Sequence, residues 1–167
     1  FFDEPRCCVG PHAGWKVRSM LSDARALLDD GALDAPLKTR LQELHATQLQ
    51  KLGRVEASLA AHTQLLESSP PPSITARCLI ASSELHFMQQ DVDLALECSR
   101  RAVDFCDAHG LGGLQALAHQ SVAEALIAKA TCVNAESTAA ILKEFEKSVA
   151  AAQASKDLQA QLIALGE

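Results

Sequence analysis

Tyrosine is missing from this chain, tryptophan occurs once, and β-branched residues are few. Aromatic and β-branched side chains are the ones that fit the pleated, half-buried surface of a sheet, so the sequence offers little material for strands. Alanine, leucine, glutamine and serine are abundant instead. Since the first three of these are good helix formers, we predict an all-α fold.

Long apolar runs and a surplus of basic charge are also missing. No apolar stretch approaches the roughly 20 residues that a bilayer-spanning helix needs, so no membrane insertion is expected. The formal net charge is −6. Without a basic stripe the chain has nothing with which to displace the counterions of a phosphate backbone, and no nucleic-acid partner is expected.

The six cysteines include no Cys-x-x-Cys pair. Free cysteine often serves as a small core residue, and a chain that uses it so belongs in a reducing compartment. We therefore expect an intracellular protein, most plausibly a cytoplasmic one. Four of the cysteines lie within or beside helical patterns: Cys78, Cys98, Cys106 and Cys132.

Two groups of residues resemble metal ligands, Cys7 and Cys8 with His12, and Cys106 with His109. Zinc normally takes four ligands in paired short spacings, which these groups do not provide. We therefore expect no metal site. If residues 1–14 are exposed, Cys7 and Cys8 are oxidisable thiols instead.

Motifs for catalysis and for phosphate binding are missing as well. Neither a GxxxxGKS/T loop nor a GxGxxG loop occurs, and the glycine-rich residues 110–113 lack the strand that should precede such a loop. His86 and Cys98 lie on the two arms of one predicted hairpin, but no glycine-rich elbow accompanies them. We expect no catalytic residue, no cofactor and no enzymatic activity. A small thiol- or metal-dependent enzyme is kept as an alternative. The finding of one bound zinc per chain would support it.

Residues 74–110 carry the clearest pattern in the chain. Apolar or small side chains recur there at steps of three and four residues, which is the period of an amphipathic helix. Residues 89–91 interrupt the pattern, and Asp91 is placed to cap the second helix. This segment is predicted to be an αα-hairpin whose inward residues are Ile74, Cys78, Ala81, Ser82, Leu85, Val92, Ala95, Ser99, Ala102, Val103 and Cys106.

Proline and glycine residues divide the rest of the chain. Residues 1–14 have no helical period and are predicted to be an extended or disordered arm, and residues 15–167 to be one helical-repeat domain. The predicted helices are 15–30, 34–53, 54–68, 73–88, 92–109, 114–130, 136–155 and 158–165, about seven or eight in all. Asp34 and Ser73 are expected to cap two of them.

Two stripes are expected to be buried: Leu37, Leu41, Leu44, Leu49 and Leu52 in the second helix, and Ile141, Leu142, Phe145, Val149 and Ala152 in the seventh.

Equivalent points near the ends of four helices, Leu28, Leu66, Val103 and Val149, are spaced 38, 37 and 46 residues apart. A period of that size with two helices per unit is typical of an α-solenoid. Because Leu158, Leu162, Ile163 and Leu165 have no later helix to cover them, we expect either a longer native chain or a neighbouring subunit that caps this end.

Residues 39–70 resemble a tetratricopeptide repeat. This family has small residues near positions 8 and 20, Leu-Gly in the turn and proline near position 32, and the matching residues here are Ala46, Leu52, Gly53, Ser58, Leu65 and Pro70. Residues 76–107 match through Ser83, Ala95 and Ala102 but have Gln90 in place of glycine and Asp107 in place of proline. Residues 114–155 depart further and need an insertion near residues 131–134. The resemblance spans about residues 15–167.

The resemblance implies a protein-interaction scaffold or adaptor, part of a larger assembly, that holds a partner helix or peptide on the concave face formed by the first helix of each pair. Members that clamp acidic chaperone tails carry Lys and Asn at positions where this chain has Glu43, Thr47, Leu117 and Ser121, so that ligand is not expected. The partner-binding residues implied are Arg40, Glu43, Thr47, Gln50, Arg77, Glu84, Phe87, Met88, Gln120 and Glu124.

A second resemblance is local. Residues 31–41, followed by His62, Leu65 and Leu66, are similar to the helical domain of the steroid receptor RNA activator protein, which the outer COPII coat subunit shares. It covers about residues 15–90 and implies a coregulator or coat-assembly domain with a compact bundle. If the ligand were RNA, its binding would weaken steeply with added salt.

Overall fold

The computed structural model describes residues 22–28, 33–130 and 134–155 of the 167-residue chain. All regular structure within these ranges is α-helical, which confirms the all-α prediction. The predictions for residues 1–14, including Cys7, Cys8 and His12, for Cys132 and for the short final helix lie outside the described residues. Residues 22–28 are helical and belong to α1; the later helices are α2 (Ala35–Lys51), α3 (Val55–Glu67), α4 (Pro72–Met88), α5 (Val92–His109), α6 (Gly112–Lys129) and α7 (Ala135–Ser155).

Local capping explains most of these boundaries. Asp34 accepts a hydrogen bond from the N–H of Leu37 at 3.2 Å, and Asp91 accepts one from Leu94 at 3.3 Å. Each carboxylate thereby satisfies one of the free N–H groups of a helix start, as predicted. Gly53 and Gly110 follow α2 and α5 with φ of +71° and +65°. Residues other than glycine rarely adopt this left-handed backbone conformation, so both glycines suit helix ends.

Two predicted starts are wrong by one or two residues. The fourth helix begins at Pro72, with Pro71 and not Ser73 at its N-cap, and no side chain caps it. Proline fits there because the first helical turn has no acceptor for its missing N–H. The sixth helix begins at Gly112, two residues before the predicted Leu114. A Cβ atom at Gly112 would lie 3.2 Å from the Cβ of Ser155, so a glycine permits α6 and α7 to approach closely here.

The helices form antiparallel hairpins that stack in a row. Each helix from α2 to α7 contacts the next one, and α4 also contacts both α2 and α6. Within the described ranges α3 does not contact α5, and α5 does not contact α7. The stack is therefore an α-solenoid that curves toward the side of α2, α4 and α6, as the repeat period predicts. No helix in the described parts of the chain is long and apolar enough to cross a bilayer.

Small residues bring the paired helices close together. Ser58 on α3 donates a hydrogen bond to the carbonyl oxygen of Ala46 on α2, and Ser148 on α7 donates one to Ala116 on α6, both at 2.8 Å. The serines and Ala46 are fully buried, and Ala116 is nearly so. The polar hydroxyls are tolerated in the interior because each has an acceptor.

The buried stripe of α2 differs from the prediction. Leu37, Leu44 and Leu52 are 55%, 44% and 36% exposed, while the buried residues are Glu43, Ala46 and Leu49. Since successive helical residues are 100° apart, Leu44 points about 200° away from Ala46, which faces α3. The prediction for α7 is wrong in the same way at Leu142, which was expected to be buried and is 55% exposed.

Candidate partner-binding site

The side of the solenoid formed by α2, α4 and α6 is called the inner face, and the side formed by α3, α5 and α7 the outer side. The inner face is continuous because α4 contacts both of its neighbours there. All ten residues implied by the family resemblance lie on its three helices: Arg40, Glu43, Thr47 and Gln50 on α2, Arg77, Glu84, Phe87 and Met88 on α4, and Gln120 and Glu124 on α6.

Arg40, Glu43 and Arg77 form a first group, called the arginine row. Nη1 of Arg40 lies 2.5 Å from Oε2 of Glu43, and Nε of Arg77 lies 2.6 Å from Oε1. The Nε–H of Arg77 does not point along the line to that oxygen, but Nη2 of Arg77 donates a hydrogen bond to Oε2 of Glu43 at 3.4 Å. The Glu43 side chain is only 7% exposed, whereas those of Arg40 and Arg77 are 50% and 41% exposed. Two accessible cations share one buried anion, so the row presents positive charge.

Gln50, Glu84, Gln120 and Glu124 form a second group, called the glutamate row. Nε2 of Gln50 donates to Oε2 of Glu84 at 2.7 Å, and Nε2 of Gln120 donates to Oε1 of Glu124 at 3.0 Å. Neither carboxylate has an ion-pair partner among the described residues. Loss of solvent around Glu84, together with the charge of Glu124, raises the pKa of the Glu84 carboxyl, and the hydrogen bond from Gln50 partly offsets this rise. The row therefore presents negative charge.

The two rows are aligned across the helices. Glu43 and Arg77 are 34 residues apart, and so are Gln50 and Glu84, which means that α2 and α4 contact each other in one constant register. Arg77 and Glu84 are separated by two helical turns, or about 10 Å, on the same side of α4. The inner face thus carries opposite charges in two rows about 10 Å apart.

Apolar side chains adjoin the glutamate row. Phe87 and Met88, three and four residues after Glu84 on α4, are 41% and 50% exposed. Residues with these spacings are neighbours on a helix surface, so the aromatic ring and the thioether are accessible beside the acidic groups. Thr47 is less available to a partner than the family resemblance implied. Its hydroxyl already donates a hydrogen bond to the carbonyl oxygen of Glu43 within α2.

A second polar cluster, which no sequence pattern indicates, lies on the outer side. His119 on α6 is 2.8 Å from Oε2 of Glu144 on α7, and Lys147 is 2.7 Å from Oε1 of the same carboxylate. Burial acts to raise the pKa of Glu144, but the hydrogen bonds from Lys147 and His119 outweigh it and lower the pKa. These residues line a groove of about 420 Å³ that is open between α5 and α7. Both members of the pair are largely buried, since the side chains of His119 and Glu144 are 8% and 16% exposed.

His62 is the most enclosed histidine in the described parts of the chain. It is 1% exposed, and neither ring nitrogen has a hydrogen-bond partner among the described residues. Burial lowers the pKa of His62, and the charge of Glu43 opposes that effect. His62 is therefore a packing residue of the interior.

The described thiols are not activated. Cys78, Cys98 and Cys106 are free, and burial raises the pKa of Cys78 to about 12 and of Cys106 to about 11. A nucleophilic cysteine needs a lowered pKa, so none of the three resembles one. Within the described ranges no three His, Cys, Asp or Glu side chains are grouped closely enough to hold a metal ion.

Comparisons of the chain with protein-family models, with curated proteins and with solved structures found no match. The resemblance to tetratricopeptide repeats therefore depends on the residues quoted above. The arrangement of helices is compatible with it, because in both the first helices of successive pairs adjoin on one side.

Proposed function

We propose that this chain is a non-catalytic protein-interaction module of the tetratricopeptide-repeat type. It acts as a scaffold or adaptor within a larger assembly and holds a helix or peptide of a partner protein against its inner face. The observation that carries the proposal is the continuous surface of α2, α4 and α6, on which charged and exposed apolar side chains lie side by side. An amphipathic partner helix can lay its apolar face against exposed apolar side chains of such a surface, which is one of the recurring modes of peptide recognition.

Exposed apolar residues support the proposal further. Phe87 and Met88 occupy the last turn of α4, where they adjoin the glutamate row. Aromatic and methionine side chains are enriched at the centres of protein interfaces, and methionine adapts to partners of varied shape. Leu37 and Leu44, which are exposed and seven residues apart on α2, offer a separate apolar stripe that a neighbouring subunit would cover.

Site-specific photo-cross-linking tests the proposal. A photoreactive amino acid is placed at Thr47 or Met88 on the inner face, and at Thr63 or Glu97, which are both exposed, as controls on the outer side. After irradiation in cells of the source organism, mass spectrometry identifies the cross-linked protein and peptide. We expect both inner positions to cross-link to the same segment of one protein. Equal or greater cross-linking to that protein from the outer positions would contradict the proposal.

A matched pair of alanine variants tests the apolar contact. Phe87→Ala removes a 41% exposed side chain from α4, and Leu94→Ala removes an equally exposed one from α5. Truncation of an aromatic anchor at an interface commonly costs 2 kcal/mol or more, which is roughly a 30-fold loss of affinity. We expect this loss for the partner found by cross-linking with Phe87→Ala and no measurable loss with Leu94→Ala.

A further inference from the structure

The inner face carries charges that the contacts of the described residues do not neutralise. Arg40 and Arg77 share the single carboxylate of Glu43, so one positive charge remains uncompensated. Glu84 and Glu124 have no ion-pair partner among the described residues, although Glu84 is close enough to Glu124 for its pKa to be raised. Like charges held together on a protein surface are stabilised when a ligand of opposite charge binds between them.

The glutamate row offers acceptors and few free donors. One N–H of Gln50 and one of Gln120 already bond the two carboxylates, and Oε1 of Gln120 is buried, so the accessible acceptors of the row are the carboxylate oxygens of Glu84 and Glu124. A flip of the Gln120 amide would turn its oxygen toward Glu124, which is repulsive, so Gln120 keeps donating to the Glu124 carboxylate. A lysine or arginine side chain is the ligand group that fits this row.

The spacing of the rows selects the conformation of the ligand. Arg77, Glu84 and Met88 follow one another at intervals of seven and four residues on α4, which spans about 10 Å and then about 6 Å. An α-helix laid beside α4 repeats these intervals with its own residues on one face. In an extended strand only alternate residues share a face, at about 7 Å and 13 Å, and neither matches 10 Å.

We propose, as a refinement that rests on the proposed function, that the inner face binds an amphipathic helix with an acidic and a basic residue seven positions apart. The acidic residue meets Arg40 and Arg77, and the basic residue meets Glu84 and Glu124. An apolar residue three or four positions beyond the basic one covers Phe87 and Met88. The partner segment is therefore at least about 11 residues long and carries charges of both signs on one face.

Stapled helical peptides provide the probe. Each 18-residue peptide carries one glutamate, one lysine and a leucine four positions beyond the lysine. In the matched peptide the two charges are seven positions apart and share a face. In the control, of the same composition, they are five positions apart and lie on different faces. Both peptides are also made in the reversed order, and fluorescence anisotropy measures their binding to the full chain.

We expect the matched peptide, in one of its two orders, to bind about threefold more tightly than the control, since the control can pair only one of its two charges and one partly exposed ion pair contributes about 0.7 kcal/mol. Replacing both carboxylates of the glutamate row, by Glu84→Gln with Glu124→Gln, should abolish this advantage, because both peptides then pair only their glutamate with the arginine row. Asp93→Asn with Glu97→Gln removes the same charge from exposed positions of α5 and should leave the advantage intact. Glu84→Lys should reverse it in favour of peptides with glutamate in place of lysine.

Equal binding of the matched and control peptides would overturn this inference. So would an equal loss of the advantage in the α5 double variant. In either case a photoreactive group at Met88 that cross-links to both peptides would leave the proposed function standing. Peptides that bind without any cross-link from Met88 or Thr47 would count against the proposed function and the inference together.

Discussion

Ser83 donates a hydrogen bond at 2.8 Å to the carbonyl oxygen of Ala95, across the α4–α5 hairpin. Thirty-seven residues earlier the same contact joins Ser58 and Ala46, but there the serine is on the second helix and the carbonyl on the first. The two hairpins therefore have equivalent close contacts with donor and acceptor exchanged. Both serines are buried, so each hydroxyl replaces a bond to water by one to the main chain.

Removal of the Ser83 hydroxyl should destabilise the fold. Ser83→Ala deletes a buried hydrogen bond and is expected to lower the free energy of unfolding by about 1 kcal/mol. Ser83→Leu should cost more, by about 1–3 kcal/mol, because α4 and α5 would have to separate. Urea denaturation followed by circular dichroism measures both. Thr63→Ala serves as the control, since its hydroxyl also donates to a carbonyl, that of Leu59 at 2.9 Å, but on an exposed surface. A Thr63→Ala effect as large as that of Ser83→Ala would contradict the argument.

Glu43 should contribute to stability although it lies on the proposed binding face. Glu43→Gln leaves Arg40 and Arg77 facing each other without an anion and is expected to lower the free energy of unfolding by about 1–2 kcal/mol. Lys129→Gln breaks a pair of similar length, 2.6 Å to Asp93, whose side chains are 54% and 80% exposed. That change should alter stability by less than about 0.5 kcal/mol. Urea denaturation measures the free energy of unfolding of the two variants. Equal losses of stability would show that burial of Glu43 does not strengthen its ion pairs.

The sequence predicts the starts of α2 and α5 and the ends of these two helices well because single residues mark them. Asp34 and Asp91 cap helices, and Gly53 and Gly110 end them, through chemistry that operates within a few residues. The burial of individual leucines was not predictable in this way. Leu44 fits an amphipathic stripe, but the close contact of Ala46 with Ser58 fixes the rotation of α2 and turns Leu44 outward.

The candidate site was predictable only in part. The family resemblance places its residues on the first helices, and the structure finds them there. The pairing of Glu43 with Arg77, and of Gln50 with Glu84, depends on the register between α2 and α4, which no local pattern specifies. His119 and Glu144 meet across α6 and α7 for the same reason, so the sequence offers no signal for that buried pair.

The buried thiols should resist alkylation in the native chain. At pH 8 a thiol with a pKa of about 12, such as Cys78, is ionised in only about one molecule in ten thousand, and the side chain is also inaccessible. Cys98, which is only partly buried, should react with iodoacetamide sooner than Cys78 and Cys106. Peptide mapping by mass spectrometry at successive times gives the rate at each cysteine. In 6 M guanidinium chloride all three should react at similar rates, and rapid native labelling of Cys78 would contradict the burial of this site.

Protonation of His62 should weaken the fold at mildly acidic pH. Burial lowers the pKa of His62 below its ordinary value of 6.5, so the folded chain keeps the ring neutral at pH values where the unfolded chain binds a proton. The free energy of unfolding is therefore unaffected by His62 above pH 6.5. It falls as the pH drops from 6.5 toward the lower folded pKa, by at most about 1.4 kcal/mol per pH unit.

His62→Leu removes both the proton-binding ring and its two unpartnered nitrogens. At pH 7.5 the variant should be about as stable as the parent chain or more so, because no buried polar atom is left unpaired. Its advantage should grow as the pH is lowered to 5, since only the parent chain has the His62 proton to take up on unfolding. Ser58→Ala, one turn away on α3 and equally buried, should change stability by the same amount at both pH values, because neither residue titrates. Urea denaturation at pH 7.5, 6.5, 5.5 and 5.0 measures these differences. A constant difference between His62→Leu and the parent chain across this range would show that His62 is as readily protonated in the folded chain as in the unfolded one.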